Sequence, residues 1–594
     1  MTEYMYGGGY SSLDPEKYGN FTGYRMNFNN IGTSLDARTA NQVKEVSKHL
    51  NAGVKTFEVA AHSPEVFDAM PKDQLTEIRR LMALTGSEAT IHGPMIEPTG
   101  ITQQGFQELN RKAAEEQLWK ALERSAELTP FEKGKPKGNV VFTMHASTIN
   151  LPPAEFKMKE GEEEKTKSVL LIDSKGTLHQ IKEEPRYFGP ENKENVGKEI
   201  PFNKDEEIKR INQQTWQKQL TNITWYAERG KEAISRNINV ESPEQIKKHP
   251  ELQDKTTGVA YLKDAYGNLR DLFDFAYRDA KPEEKEMLNE FNSKISPYVK
   301  QFEDIQNNPK LITKFAELVE EGVDTLNKIH PNMFQPLREF AIKQTAETIS
   351  NLAIRSYNEF EKNGKNAPII SIENHPAQQS LLTTGEDLKQ VIEAARKKFE
   401  EKAIASGISK SEAKKESEKL IGATWDVGHI NMLRRYGYTD EDIIKQTKEV
   451  APFVKHVHLS DNFGFEHTEL PMGMGNVPIQ SIMKILDEAH KKTNGFQGKK
   501  IAEALSWWQH FSEQGTQHAI IPTLQAFGSP IYGMANAPYW NQAAGSSAGY
   551  FGLPMAYMPE KHFSMYGSGF SGLPQELGGQ MPGTNSRFSG TPNT

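Results

Sequence analysis

Two rhythms of apolar and polar positions divide the chain. Short runs dense in β-branched and aromatic residues read as buried strands: Val54-Lys-Thr-Phe-Glu58-Val-Ala60, Glu88-Ala-Thr-Ile-His92 and Asn139-Val-Val-Phe-Thr-Met-His145. Between them, apolar residues recur every three or four positions and predict helices over about 40–50, 72–84 and 105–128. Gly53 and Gly86 stand where a left-handed residue closes the first two helices. The same alternation returns late in the chain. Strands are predicted at Pro368–Glu373, through Thr424-Trp-Asp426, at Val454–Leu459 and from Lys499 to Glu503, with helices near 385–402, 440–454, 478–490 and 512–526. A first strand from Arg25 to Phe28, running on to Ser34, completes eight strand–helix units.

The rhythm breaks over residues 151–365. A hairpin turning at Asp173-Ser-Lys-Gly176 is followed by helical spans near 205–236, 260–279, 282–305, 311–329 and 336–362. That is too long for a loop, so it is expected to be a mostly helical inserted domain whose last helix rejoins the alternation. The expected fold class is α/β: a (β/α)8 TIM barrel interrupted after its fourth strand. Residues 24–150 form its first half and 366–530 its second, roughly 290 residues together and within the size range of such barrels. Residues 1–23, rich in Tyr, Gly and Ser, are expected to be a flexible arm. Residues 531–594 are expected to be a disordered Gly/Pro/Tyr/Met-rich tail, because 541–594 hold ten glycines and only four charged residues.

Composition narrows the chemistry. With no cysteine, thiolate metal sites, cysteine nucleophiles and disulfides are excluded, and any metal must sit on His, Asp and Glu. A net charge of −8 gives no general attraction to nucleic acid. No run of 18 apolar residues exists and the start lacks a basic, then apolar, leader, so no membrane partner and a cytoplasmic location are expected.

Six consecutive predicted strands end in ligand-type side chains: His92, His145, Glu373, Asp426, His458 and Glu503. His429 follows Asp426 by three residues, and the loop after the seventh strand adds His467 and Glu469. The carboxyl edge of a parallel barrel gathers these ends into one place. Converging carboxylates repel one another and lose hydration unless a cation neutralises them, so a metal site is expected there.

The motifs His92-Gly-Pro, Ile372-Glu373-Asn, Asp426-x-x-His429, His458-Leu-Ser-Asp461 and Gly473-Met-Gly475 resemble the xylose isomerase-like barrel superfamily. That superfamily includes endonuclease IV (AP endonuclease family 2) and the sugar phosphate isomerases and epimerases. The resemblance covers the two barrel halves. Likeness to endonuclease IV implies a two- or three-metal hydrolase, with Zn ahead of Mn, that cleaves abasic-site DNA in DNA repair. Its ligands would be His92, His145, Glu373, Asp426, His429, His458, His467, Glu469 and Glu503, with Met95 and Ile96 placed to wedge into the duplex. Where that family carries Asp-x-His, this chain has His467-Thr-Glu469, with acid and imidazole exchanged. Likeness to the epimerases implies the alternative: one metal on Glu373, Asp426, His458 and Glu503 and a small sugar substrate. Glu373 and Glu503 would move the proton, His429 would touch substrate, and Asp461 and Asn462 would line the site. The turn Ala60-Ala-His-Ser-Pro-Glu65 is acidic where a DNA-facing loop would be basic. The helical insertion is a candidate module for homo-oligomer formation.

Overall fold

A computed structural model describes residues 22–51, 53–60, 63–132, 135–187, 199–235, 253–300, 309–504 and 520–528. Eight strands form the centre: β1 (Gly32–Ser34), β2 (Thr56–Ala60), β3 (Glu88–His92), β4 (Val141–His145), β5 (Ile369–Glu373), β6 (Ile421–Asp426), β7 (Val454–Leu459) and β8 (Lys499–Ala502). They close into a barrel in the order β1-β8-β7-β6-β5-β4-β3-β2, every pair parallel. The apolar runs make these strands because each is covered on both faces: β2, β4 and β6 are buried throughout. The arm over 1–21, the tail from 529 and the first part of the last helix expected at 512–526 lie outside the described residues.

The helices fall where periodicity puts them. Gly86 ends Lys72–Thr85 at φ 64°, a left-handed cap that costs glycine nothing. Thr384 and Asp387 cap Gly385–Ala405 reciprocally, each side chain taking the other's backbone N–H. Leu337–Glu359 packs against Glu108–Ser125 and Gly385–Ala405 and so takes the place of the fourth barrel helix.

Three expectations need correction. The first strand is Gly32–Ser34 and does not include Arg25–Phe28; Phe28–Asn30 is a 3-10 turn, with Asn30 N donating to Asn27 O at 2.8 Å. An additional helix, Lys410–Leu420, precedes β6. Its sequence is so charged that only Ala413, Glu416, Ser417 and Leu420 mark a buried face. The expected hairpin also has a further arm: Glu155–Glu160 pairs antiparallel with Glu163–Asp173.

The chain divides into two compact units. The first holds the barrel together with residues up to Leu170, Gly176–Lys182 and everything from Pro336 onward. The second is Leu171–Lys175 with Glu183–Gln335, narrower than the 151–365 expected. The arm at 155–160 stays with the barrel because Gln378 bonds both backbone groups of Lys157 and Lys159 pairs with Asp442 at 2.7 Å. In the second unit, helices Lys204–Ser235, Gln253–Asp279, Pro282–Lys300 and Pro309–Asn327 share one apolar core. Trp216, Leu220, Ile223 and Ala227 repeat at helical spacing along the first of these, and the Trp216 indole N–H is satisfied by Leu326 O at 3.1 Å. No helix among the described residues is long and apolar enough to cross a membrane.

Inside the barrel, a polar layer replaces the branched apolar residues usual there. Thr90 Oγ1 donates to Glu58 Oε2 at 2.7 Å, Thr424 Oγ1 donates to Ser371 Oγ at 2.7 Å, and Thr143 and Thr424 hydroxyls meet at 3.0 Å. All of these side chains are buried. The layer lies directly beneath the strand ends.

Candidate metal centre

Register brings the strand ends to one level. Glu373 pairs with His145, Asp426 with His458, and Leu459 with Ala502, just before Glu503. Alternation along β7 turns His456 and His458 both inward, their rings 4.9 Å apart. His429 lies on a single turn of helix, Val427–Asn431, that Asp426 caps by accepting the His429 N–H at 2.7 Å.

Glu373 is the hub. Its Oε1 lies 2.9 Å from His458 Nδ1, and its Oε2 lies 3.0 Å from His92 Nε2 and 3.6 Å from His145 Nε2. One ligand atom each from Glu373, Asp426, His458 and Glu503 fall within 4.8 Å of one another, and so do those of His92, His145 and Glu373. His429 and His467 face each other through their Nε2 atoms at 2.8 Å, with Glu469 Oε1 3.7 Å from His467. Glu469 has a left-handed φ of 45°, a strained conformation of the kind found at functional sites.

The electrostatics ask for added positive charge. Burial, then Glu503 and Glu373, pushes the Asp426 carboxyl well above its ordinary range. Burial also pushes Glu469 up, to about 8. Burial opposes charging of Glu373 too, but the imidazoles of His458 and His145 outweigh it and hold that carboxyl well below its ordinary range. At His92 burial is likewise outweighed by Glu373, which raises the imidazole to about 9.

The donor set fits a divalent cation. His92 Nδ1 is 2.8 Å from Gly93 O and its Nε2 is turned to a Glu373 oxygen, so Nε2 is the ring atom that a cation would take in place of a proton. His429 repeats this, with Nδ1 2.6 Å from Asn374 O and Nε2 turned to another imidazole nitrogen. Asp426 Oδ2 is buried with no hydrogen-bond partner among the described residues. Ring nitrogens gathered on shared carboxylates, and an unmatched buried carboxylate oxygen, are what a cation satisfies.

Glu58, on β2, was not among the expected site residues. Its Oε1 lies 3.0 Å from His458 Nε2, and its Oε2 lies 3.1 Å from His456 Nε2. A carboxylate on the far nitrogen of a metal-binding histidine fixes the ring and raises its basicity. The signal in the sequence was a lone charge inside an otherwise apolar strand. Glu58→Gln is expected to weaken metal affinity about 10- to 100-fold, the usual cost of losing such a partner; an unchanged metal titration would contradict this role.

Other expected residues are used differently. Asp461 accepts backbone N–H groups of Asn462, Gly473 and Val477 at 2.9–3.1 Å, pinning the glycine turn. A Cβ at Gly475 would come within 2.3 Å of Asp461 Oδ1, so only glycine fits there. Asn462 donates to Gly428 O and accepts from Asn431 and Gly464. Both are buried and spend these bonds on bracing the loop. Ile96 is likewise buried, whereas Met95 is exposed. His375, also unanticipated, stands two residues past Glu373 with its ring 5.3 Å from His145. Burial, then His467, lowers its pKa to about 4 and keeps the ring neutral.

No protein-family model matches the chain, and neither does any curated protein. Comparison with solved structures does return matches. One is a D-tagatose 3-epimerase-like protein, at 11% identity and TM-score 0.33 over 80% of this chain and 91% of that one. Another is a D-psicose 3-epimerase from Clostridium cellulolyticum H10 with D-tagatose, at 7% identity and TM-score 0.35 over 84% and 96%. A third is a 3-keto-D-glucoside 4-epimerase from E. coli, at 10% identity and TM-score 0.31 over 80% and 91%. At these identities and TM-scores the likeness carries no argument about what this chain does.

Chelation provides a direct check on the centre. An ion held at a hundredfold excess over its Kd adds about 2.7 kcal/mol to stability, so EDTA should lower the melting temperature. An unchanged melting curve in EDTA would contradict a resident metal.

Proposed function

We propose that the chain is a divalent-metal enzyme that isomerises or epimerises a small sugar. The observation that carries this reading is the four-residue set of Glu373, Asp426, His458 and Glu503, whose ligand atoms converge within 4.8 Å at the mouth of a closed barrel. Two of the four are glutamates from non-adjacent strand ends, so each can meet a different side of one substrate carbon. When bound, a Zn or Mn ion supplies Lewis-acid polarisation of the substrate's carbonyl and hydroxyl oxygens. Glu373 or Glu503 takes the proton from the carbon beside the carbonyl, and the other returns one. Asp426 and His458 hold position, and Glu58 keeps the His458 ring in its orientation.

The loop charges also support a small neutral substrate over nucleic acid. Arg38, Lys157, Lys159, Arg338 and Arg434, from the loop after β1, the strand arm Glu155–Glu160, the start of helix Leu337–Glu359 and the turn after β6, are each paired with a carboxylate: Asp36, Glu164, Asp442, Asp387 and Asp440. Binding to a phosphate backbone rests on cations available to it.

One observation favours a second reading, multi-metal hydrolysis of a phosphodiester such as abasic-site DNA. The two oxygens of Glu373 face separate donor sets, His458 on one side and His92 with His145 on the other, as a carboxylate shared by two ions would.

Incubating the metal-loaded protein with a panel of ketopentoses and ketohexoses in D2O tests the first reading. Deuterium is expected at the carbon beside the carbonyl. No exchange in any ketose, together with nicking of an abasic-site duplex, would replace it with the second reading.

A further inference from the structure

One layer below the centre, three polar side chains meet inside the barrel. Glu58, Thr90 and His456 stand on β2, β3 and β7, and all three are buried. Thr90 and His456 each precede a strand-end histidine, His92 and His458, by two residues, so alternation turns them to the same interior face. Strands β8 and β1 lie between β7 and β2 in the barrel order, so the contact from His456 to Glu58 crosses the interior.

The two oxygens of Glu58 are used unequally. Oε2 accepts the Thr90 hydroxyl at 2.7 Å and faces His456 Nε2 at 3.1 Å. Because Oε2 already accepts from Thr90, the proton in the second contact is carried by His456 Nε2. Oε1 is left facing His458 Nε2 at 3.0 Å. The other ring nitrogen of His458, Nδ1, lies 2.9 Å from Glu373 and so faces the centre.

His456 has one polar use. Its Nδ1 is buried with no hydrogen-bond partner among the described residues, and its ring meets the His458 ring edge-on with centroids 4.9 Å apart. An apolar side chain would fill that place without leaving a ring nitrogen unmatched. What the imidazole adds is the single bond to Glu58.

We propose that His456 and Thr90 are positioning residues of the metal centre, which hold Glu58 Oε2 so that Oε1 stays aimed at His458. Neither touches the ion or the substrate. A carboxylate gripped through one oxygen keeps the other in line with the ring nitrogen; once released it can rotate away, and the metal-binding ring loses orientation and basicity. The proposal rests on the metal centre and on neither reading of the reaction. Glu58, His456 and His458 also offer ligand atoms within 4.8 Å of one another, so an ion of their own is the competing reading.

The test is a Zn titration against a competing chelator, made on the full chain freed of metal. Wild type is compared with His456→Leu, His456→Gln, Glu58→Gln and the double variant of His456→Leu with Glu58→Gln. His456→Leu should raise the Kd of the centre about tenfold, the lower end of the cost of losing an outer partner. His456→Gln, whose amide N–H can replace the ring N–H, should stay within about threefold of wild type. In the Glu58→Gln background, adding His456→Leu should change Kd less than about twofold, because the bond it removes acts only through Glu58. Thr90→Val keeps the side chain's shape, should weaken binding in the same direction, and is the variant read if His456→Leu does not fold. The metal count per chain should be the same in every variant. An unchanged Kd in His456→Leu, or in Thr90→Val where that stands in for it, would overturn the positioning role. So would losses that multiply in the double variant, or no recovery in His456→Gln. Loss of one metal per chain in His456→Leu would replace it with an ion held by Glu58, His456 and His458. Wild type that binds no Zn would overturn the centre and this proposal with it, and is read first.

Discussion

Glu503→Gln is expected to lower turnover by about three orders of magnitude while leaving the barrel folded. Removing a positioned proton carrier costs roughly 10²–10⁴ in rate, and this substitution also takes a charged ligand from the centre. Glu503 is suited to the test because it stands one residue beyond β8 and its backbone N–H bonds Leu459 O at 3.0 Å, a contact glutamine keeps. Its Oε2 lies 3.4 Å from His458 Nδ1, so the lost charge is felt directly at the centre. Circular dichroism should show an unchanged fold. A variant that retained more than about a tenth of wild-type turnover would remove Glu503 from the proton path.

His145→Ala has the second-largest consequence, because it separates one ion from two. His145 belongs to the cluster with His92 and Glu373, not to the set of Glu373, Asp426, His458 and Glu503. With one essential ion on that four-residue set, the variant should keep one metal per chain and lose less than about tenfold in turnover, within the cost of a lost neighbouring contact. With Glu373 shared between two ions, the variant should drop from two metals to one and lose turnover almost entirely. Elemental analysis of wild type and variant side by side reads the difference.

The strand-end ligands were legible from sequence because apolar strands make their polar exceptions conspicuous. His92, His145, Glu373 and Asp426 each terminate such a run, and parallel strands in register must bring those ends together. Glu58 gave the same kind of signal but lies mid-strand, one layer below, where a sequence does not say which buried charge has a partner across the barrel. The bracing role of Asp461 and Asn462 was not legible because spacing along a loop, unlike spacing along a strand, carries no direction; both turn back onto their own loop's amides. His375 escaped notice because its place beside His145 and His429 comes from closure of the barrel, which is not a pattern in the chain. The arm Glu155–Glu160 was hidden by its charges, and the start of β1 by the turn at Asn29-Asn30.

The four-residue metal site is tested most directly by anomalous X-ray scattering from crystals of the full chain grown with Mn. The expected result is a peak bounded by Glu373, Asp426, His458 and Glu503, lost in crystals of Asp426→Ala. A map with no peak at that position, from protein that is folded and active, would contradict it.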